Sequence, residues 1–350
     1  MDIFAALDDL THEGSLVKPE GDSVRCLACA HCCFIKVGKR GICKVRHNHA
    51  GILKVPWGYV AGLNPDPIEK KPFNHVLPGS LALTFGMLGC NFHCDFCQNW
   101  LSSQVGRDAN SDISIQHIHK ITPGGIVALA KQVGAKVIAS SYNEPLITTE
   151  WAVAIFKLAQ AAGIRTAFVS NGYATREALE MLKPHLTAYK IDLKSMQAEK
   201  YRCLGGVLGH VLDTIRMVHE LGIWLEIVTL VIPGFNDSNE ELWKTARFIS
   251  SVSRNIPWHV TAYHPDYRKE DAPPTPVTTL QRAAEIGQEA GLRHVYAGNI
   301  PGRVGSLEDT HCPACQKRLI RRVGYTILEN DLRAGKCPFC GEAIAGIWDI

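Results

Sequence analysis

The chain has 350 residues, 46% hydrophobic and 20% charged, with a formal net charge of +3. This describes a globular chain that can bury one barrel-sized core with small appendages, and the charge is too small for a protein built around nucleic acid. No run approaches the length of a membrane span, and residues 1–10, with Asp2, Asp8 and Asp9, lack the basic and apolar regions of a secretory signal. A cytoplasmic location is the expectation, and the thirteen cysteines then point to metal rather than disulfides.

In chain order, the first feature is a cysteine-rich segment over residues 1–72. Cys26, Cys29, Cys33 and Cys43 make a four-thiolate set, with Gly38 and Gly41 permitting the turn that returns Cys43. Cys26, Cys29 and Cys32 also repeat the tighter spacing of bacterial ferredoxins, and spacing leaves both options open. Residues 64–72 are proline-rich and read as a hinge, as do residues 271–276.

Residues 73–303 read as an α/β unit. Residues 80–87 (SLALTFGM) are a β-rich run that ends just before Cys90, Cys94 and Cys97, spaced C-x₃-C-x-Φ-C with Phe96 as the aromatic. A 4Fe-4S cluster normally takes four cysteines, so a compact triplet leaves one iron open. That iron would chelate S-adenosylmethionine, and one electron would break its S–C5′ bond to release a 5′-deoxyadenosyl radical. Zinc fits worse, because its sites use separated cysteine pairs and four protein ligands.

Further β-rich runs follow at 136–141, 164–170, 187–193, 224–231, 258–263 and 293–296. Helix-like stretches fall at 123–133, 149–162, 176–182, 207–221, 240–250 and 279–291. Strand and helix in alternation predict a parallel sheet with covering helices, and the count falls short of eight repeats, so the expected fold is a partial (β/α)6-type barrel. Polar clusters close successive runs: Ser141 to Pro145, Ser170 to Tyr173, and Asp192 to Lys194. Such clusters at strand ends mark a site. Cys203 reads as a packing residue.

Residues 304–350 form a C-terminal appendage. Cys312, Cys315, Cys337 and Cys340 make two C-x₂-C knuckles about twenty residues apart, the pattern of a zinc ribbon or of a rubredoxin-like iron site.

Taken together, the cysteine loop, Tyr142-Asn143-Glu144-Pro145, Ser170-Asn171-Gly172, Ile191-Asp192-Leu193-Lys194 and residues 232–237 (IPGFND) resemble the radical SAM family that includes pyruvate formate-lyase activating enzymes. The N-terminal cysteines, residues 295–302 (VYAGNIPG) and the C-terminal pairs resemble its AmmeMemoRadiSam-system branch. The resemblance implies a radical SAM enzyme that abstracts hydrogen as glycyl-radical enzyme activases do. It further implies an electron donor such as flavodoxin or ferredoxin and a protein substrate. It places Asn143 and Glu144 at the methionine amino group, where many relatives carry Gly-Gly-Glu. Ser170 and Asn171 would meet the ribose or the methionine carboxylate, Asp192 and Lys194 the sugar and carboxylate edge, Phe96 the adenine, and His264 the adenosine or substrate. The competing readings are radical modification of a small metabolite or a nucleic acid, and a non-catalytic iron–sulfur or zinc scaffold.

Overall fold

A computed structural model describes residues 3–349 of the chain; residues 1 and 2, where the N-terminal run read above begins, and residue 350 lie outside the described residues. The apolar runs become strands because each is short, rich in β-branched or aromatic residues, and buried on both faces of one sheet. Among the described residues that sheet has eight strands. They are Gly62–Pro67 (β1), Leu81–Gly86 (β2), Val137–Ser140 (β3), Arg165–Ser170 (β4), Ala188–Asp192 (β5), Trp224–Val231 (β6), Trp258–Ala262 (β7) and Val295–Gly298 (β8). From β2 to β8 each strand pairs in parallel with the next, and β1 closes one edge antiparallel to β2. The result is the open, partial barrel that the alternation predicts.

The first expected hinge is instead part of β1, so the sheet takes in chain that the sequence reading assigns to the N-terminal segment. Its sequence GLNPDP holds two prolines, which an edge strand tolerates because one side of its ladder needs no partner. Residues 271–276 are no hinge either: buried Thr275 accepts the Tyr263 amide at 2.8 Å and donates to the Val231 carbonyl.

The helices that cover the strands begin where capping residues allow it. Pro123–Gln132 (α1) starts behind Thr122, whose hydroxyl accepts the Gly125 amide at 3.1 Å, with proline at the first helical position. Thr149–Ala161 (α2), Arg176–Leu182 (α3), Leu208–Glu220 (α4), Asn239–Val252 (α5) and Val277–Glu289 (α6) complete the layer. In α4 the buried residues Val211, Thr214, Ile215 and Val218 repeat at helical spacing and make one apolar stripe against the sheet.

The N-terminal segment is two small antiparallel sheets bolted to the barrel. Arg46 and Glu150, at 1% and 8% exposure, form a two-pronged ion pair at 2.7 and 2.8 Å between this segment and α2. Gly89, just before the cysteine loop, has φ +91°, and a Cβ there would lie 2.9 Å from the Cys43 carbonyl and from Val45. Only glycine admits so close an approach in that backbone region. Gly89→Ala is therefore expected to cost about 1–3 kcal/mol of stability, read as a lower midpoint in denaturant.

Residues 304–349 carry a three-stranded antiparallel sheet, Thr310–His311, Arg318–Val323 and Thr326–Asn330. Arg322 from it donates to the Asn74 carbonyl at 2.9 Å and to Thr310 at 2.6 Å, which joins the module to the chain that follows β1. No helix among the described residues is long and apolar enough to cross a membrane.

Candidate active site

Parallel strands deliver their C-terminal ends to one edge, and the polar clusters read from the sequence meet there. Cys90, Cys94 and Cys97 lie on the loop after β2 as free thiols, Cys94 buried and the other two half-buried. The Cys90 sulfur accepts the Phe92 amide at 3.4 Å, and the Cys97 sulfur lies 3.2 Å from the Ser103 hydroxyl. Burial pushes the thiols up, Cys94 to about 12, while the Lys194 ammonium favours ionisation of Cys94 and Cys97. From outside, the amides of Arg268 and Lys269 clamp the loop by donating to the Asp95 carbonyl at 2.9 and 3.0 Å.

Glu144, 3% exposed, is held by three donors. Its Oε1 accepts from the Ser170 hydroxyl (2.6 Å) and the Leu146 amide (3.1 Å), and its Oε2 from the Asn171 amide (2.8 Å). Burial nevertheless raises its pKa to about 7, because the Asn171, Ser170 and Leu146 donors only partly offset desolvation. Asn171 donates to Asn91 Oδ1 at 2.7 Å, and Ser170 accepts from the Tyr189 hydroxyl at 3.1 Å. Glu144, Ser170 and Asn171 thus form one hydrogen-bonded cluster next to the cysteine loop. Asn143 has a partner outside this cluster. Its Oδ1 accepts the Met87 amide at 2.9 Å, so it fixes the chain that leads into the loop.

On the next strand, Asp192 sits between Lys190 and Lys194, the latter at 3.2 Å. Burial works against ionisation of Asp192, but the two ammonium groups outweigh it and hold its pKa down to about 2. Lys194 in turn has its Nζ 6.0 Å from the centre of the Phe96 ring, and Phe96 packs against Phe235 with ring centres 5.6 Å apart and planes tilted by 60°. Cys94, Phe96, Cys97, Asp192 and Lys194 all line one cavity of about 420 Å³. His264 does not: it is exposed and reaches the cavity only through Gln98, at 2.8 Å. A larger hollow of about 580 Å³ lies around Arg254, His294 and His311, away from the cysteine loop and from every strand end named here.

Sequence reasoning gave no role to four contributors to the cavity. Lys190, 4% exposed, is a charge inside an otherwise apolar strand, which was the signal for it. Tyr142 lines the wall with φ +70°, its hydroxyl donating to Asp66 at 3.1 Å and its ring 4.7 Å from Lys71 Nζ. Arg322 and Tyr325 of the C-terminal module also line it, a contact between distant segments that no local pattern announces. Cys203 is exposed rather than packed.

The C-terminal four cysteines gather as expected. Their sulfurs all lie within 4.8 Å of one another, with Cys312–Cys340 at 3.5 Å and Cys315–Cys337 at 3.7 Å. Four metal–sulfur bonds of about 2.3 Å in a tetrahedron put neighbouring sulfurs about 3.8 Å apart, so these four thiols have the spacing that a closed four-thiolate metal site requires. Cys26, Cys29, Cys33 and Cys43 of the N-terminal segment are free thiols, Cys33 half-buried and the other three buried, and they do not gather within 4.8 Å as the C-terminal four do.

The donors fit the groups the motif implies. Three free thiols on one loop offer a 4Fe-4S cluster three corners and leave the fourth open, and a buried carboxylate that burial renders costly is matched to an ammonium. The radical SAM superfamily profile matches residues 85–249, from the end of β2 through most of α5. The chain belongs to the radical SAM superfamily. This radical SAM enzyme is 36% identical to an uncharacterized protein of Methanocaldococcus jannaschii over 93% of its own length and 96% of that protein. It is 26% identical to the pyruvate formate-lyase-activating enzyme of Clostridium pasteurianum over 51% of this chain and 73% of that one. The crystal structure of a domain of such an enzyme from Bacteroides vulgatus aligns with a TM-score of 0.42 at 23% identity, over 46% of this chain and 98% of that one.

Proposed function

We propose that Cys90, Cys94 and Cys97 hold a 4Fe-4S cluster, that S-adenosylmethionine binds beside it in the barrel mouth, and that the enzyme abstracts a hydrogen atom from a protein substrate, as an activase does. The observation that carries this reading is the meeting of three free thiols, the Glu144 cluster and the Asp192–Lys194 pair at one strand edge. When bound, the cluster supplies one electron that breaks the S–C5′ bond, giving methionine and a 5′-deoxyadenosyl radical that leaves as 5′-deoxyadenosine after taking hydrogen. The electron comes from a low-potential donor of the flavodoxin or ferredoxin class.

The chain's own residues orient and exclude. Glu144, aimed by its three donors, meets the methionine ammonium through charge-assisted hydrogen bonds. Lys194 meets a carboxylate and Asp192 a ribose hydroxyl, each kept charged by the other. Phe96 and Phe235 wall the adenine side from water. Asn143 holds the Met87 amide and so the direction in which the loop leaves the sheet. Anaerobic reconstitution with iron and sulfide, then dithionite and S-adenosylmethionine, tests the reading: 5′-deoxyadenosine should appear, and a loaded cluster that yields none would sink it.

A small-molecule substrate is the second reading, favoured by the Arg322 and Tyr325 walls that narrow the cavity. For the C-terminal site we propose structural zinc, since a closed four-cysteine tetrahedron suits it. Cys337→Ser is expected to lower zinc by about one ion per chain while leaving iron unchanged, as read by elemental analysis.

A further inference from the structure

The N-terminal cysteines form a site of a different kind from the C-terminal four. Each sulfur is met by main-chain amides: Cys26 by Ala28, Cys29 by His31, Cys33 by Ile42 at 3.5 Å, and Cys43 by Val45 and Arg46. Amides aimed at sulfur favour the thiolate and are the usual surroundings of metal-bound cysteine. Cys32 stands apart, its backbone at φ +43° and its side chain on a surface hollow beside Arg176 and His210. This selects the Cys33 set over the tighter ferredoxin-like spacing.

Two buried polar groups point at these sulfurs without partners of their own. Arg46 Nε makes no hydrogen bond, and the guanidinium, beyond its pairing with Glu150, lies beside Cys26 and Cys43. Asn91 is fully buried; its Nδ2 makes no hydrogen bond and lies beside Cys29. Yet among the described residues only the C-terminal four bring three or more ligand atoms within 4.8 Å of one another. Neither the N-terminal sulfurs nor those of Cys90, Cys94 and Cys97 gather so closely, and a cluster of several irons, unlike a single ion, takes thiolates that stand farther apart.

We propose that Cys26, Cys29, Cys33 and Cys43 hold a second iron–sulfur cluster that passes single electrons through Asn91 to the cluster at Cys90. This rests on the reading of Cys90, Cys94 and Cys97 given above. Asn91 follows Cys90 directly, and its carbonyl lies 3.1 Å from His31 Nε2. Its side chain meets Asn171 of the cofactor cluster on one side and Cys29 on the other. The opposite corner of the site, Cys33, is half-buried under exposed Ile42, where an outside donor can approach. In the redox step, a low-potential one-electron donor reduces the second cluster, which gives that electron to the first and returns to its oxidised form; no bond is made or broken.

The test uses the full chain in which Cys90, Cys94 and Cys97 are all replaced by alanine. After anaerobic reconstitution it should retain about half the wild-type iron with matching sulfide, and a dithionite-reduced paramagnetic signal whose shape S-adenosylmethionine does not alter. Iron and sulfide at background, with zinc rising to about two ions per chain, would overturn the proposal. The complementary double variant Cys29→Ala with Cys33→Ala should lose the other half of the iron and keep the signal that S-adenosylmethionine reshapes. Unchanged iron in that variant would equally overturn it. Failure of the first reading looks different: the wild-type chain would show no signal that responds to S-adenosylmethionine, while the unresponsive one persists.

Discussion

Cys94→Ala is expected to bring 5′-deoxyadenosine formation to background, a fall of at least about a thousandfold, or about 4 kcal/mol in the barrier. The number of ligands decides this. A cluster held by three cysteines has no ligand to spare, so loss of one removes both the cluster and the open iron that binds the cofactor. Cys94 is also the corner nearest the cofactor machinery, since Lys194 acts on its sulfur and both line the same cavity. Folding should survive, because removing one buried thiol exposes nothing and leaves a hollow worth about 1–2 kcal/mol. Cys203→Ala is the matched control: Cys203 is exposed, and its loss should change neither iron nor turnover. Turnover retained in the Cys94 variant would refute the assignment of the cluster to this loop.

The parts of this molecule that were legible in the sequence share a cause. Strands β3, β4 and β5 each close on a polar residue, Ser140, Ser170 and Asp192, with more polar residues in the turn that follows, because the end of a buried parallel strand is where side chains are free to face a ligand. Glu144, Ser170, Asn171, Asp192 and Lys194 were singled out this way. What escaped were residues whose role depends on distant chain. β1 reads as a hinge because its prolines are breakers everywhere except at a sheet edge. Asn143, expected at the cofactor, spends its amide oxygen on Met87, a choice set by where β2 ends beside β3. Arg322 reaches Asn74 across 248 residues, and no local periodicity encodes such a contact. His264 has the right place in the order of strand ends but turns outward to Gln98.

The pH dependence of cofactor binding should be governed by Glu144. Its pKa of about 7, set by burial against the donors Asn171, Ser170 and Leu146, lies above the ordinary value of 4.5. Between these two values the folded chain binds the proton more tightly than the unfolded chain, so stability falls as pH rises through that window. The fall amounts to about 3 kcal/mol at pH values above both. An ammonium placed against the carboxylate reverses the sign, because it favours the charged form. The apparent affinity for S-adenosylmethionine should therefore weaken about tenfold for each pH unit below about 7, while the thermal midpoint of the cofactor-free chain rises. Glu144→Gln separates the two effects. It keeps the acceptor for Ser170 and removes the charge, so the cofactor should bind weakly at every pH, and the stability gained on acidification should disappear. A wild-type affinity that is flat between pH 6 and pH 8 would show that Glu144 does not meet the ammonium.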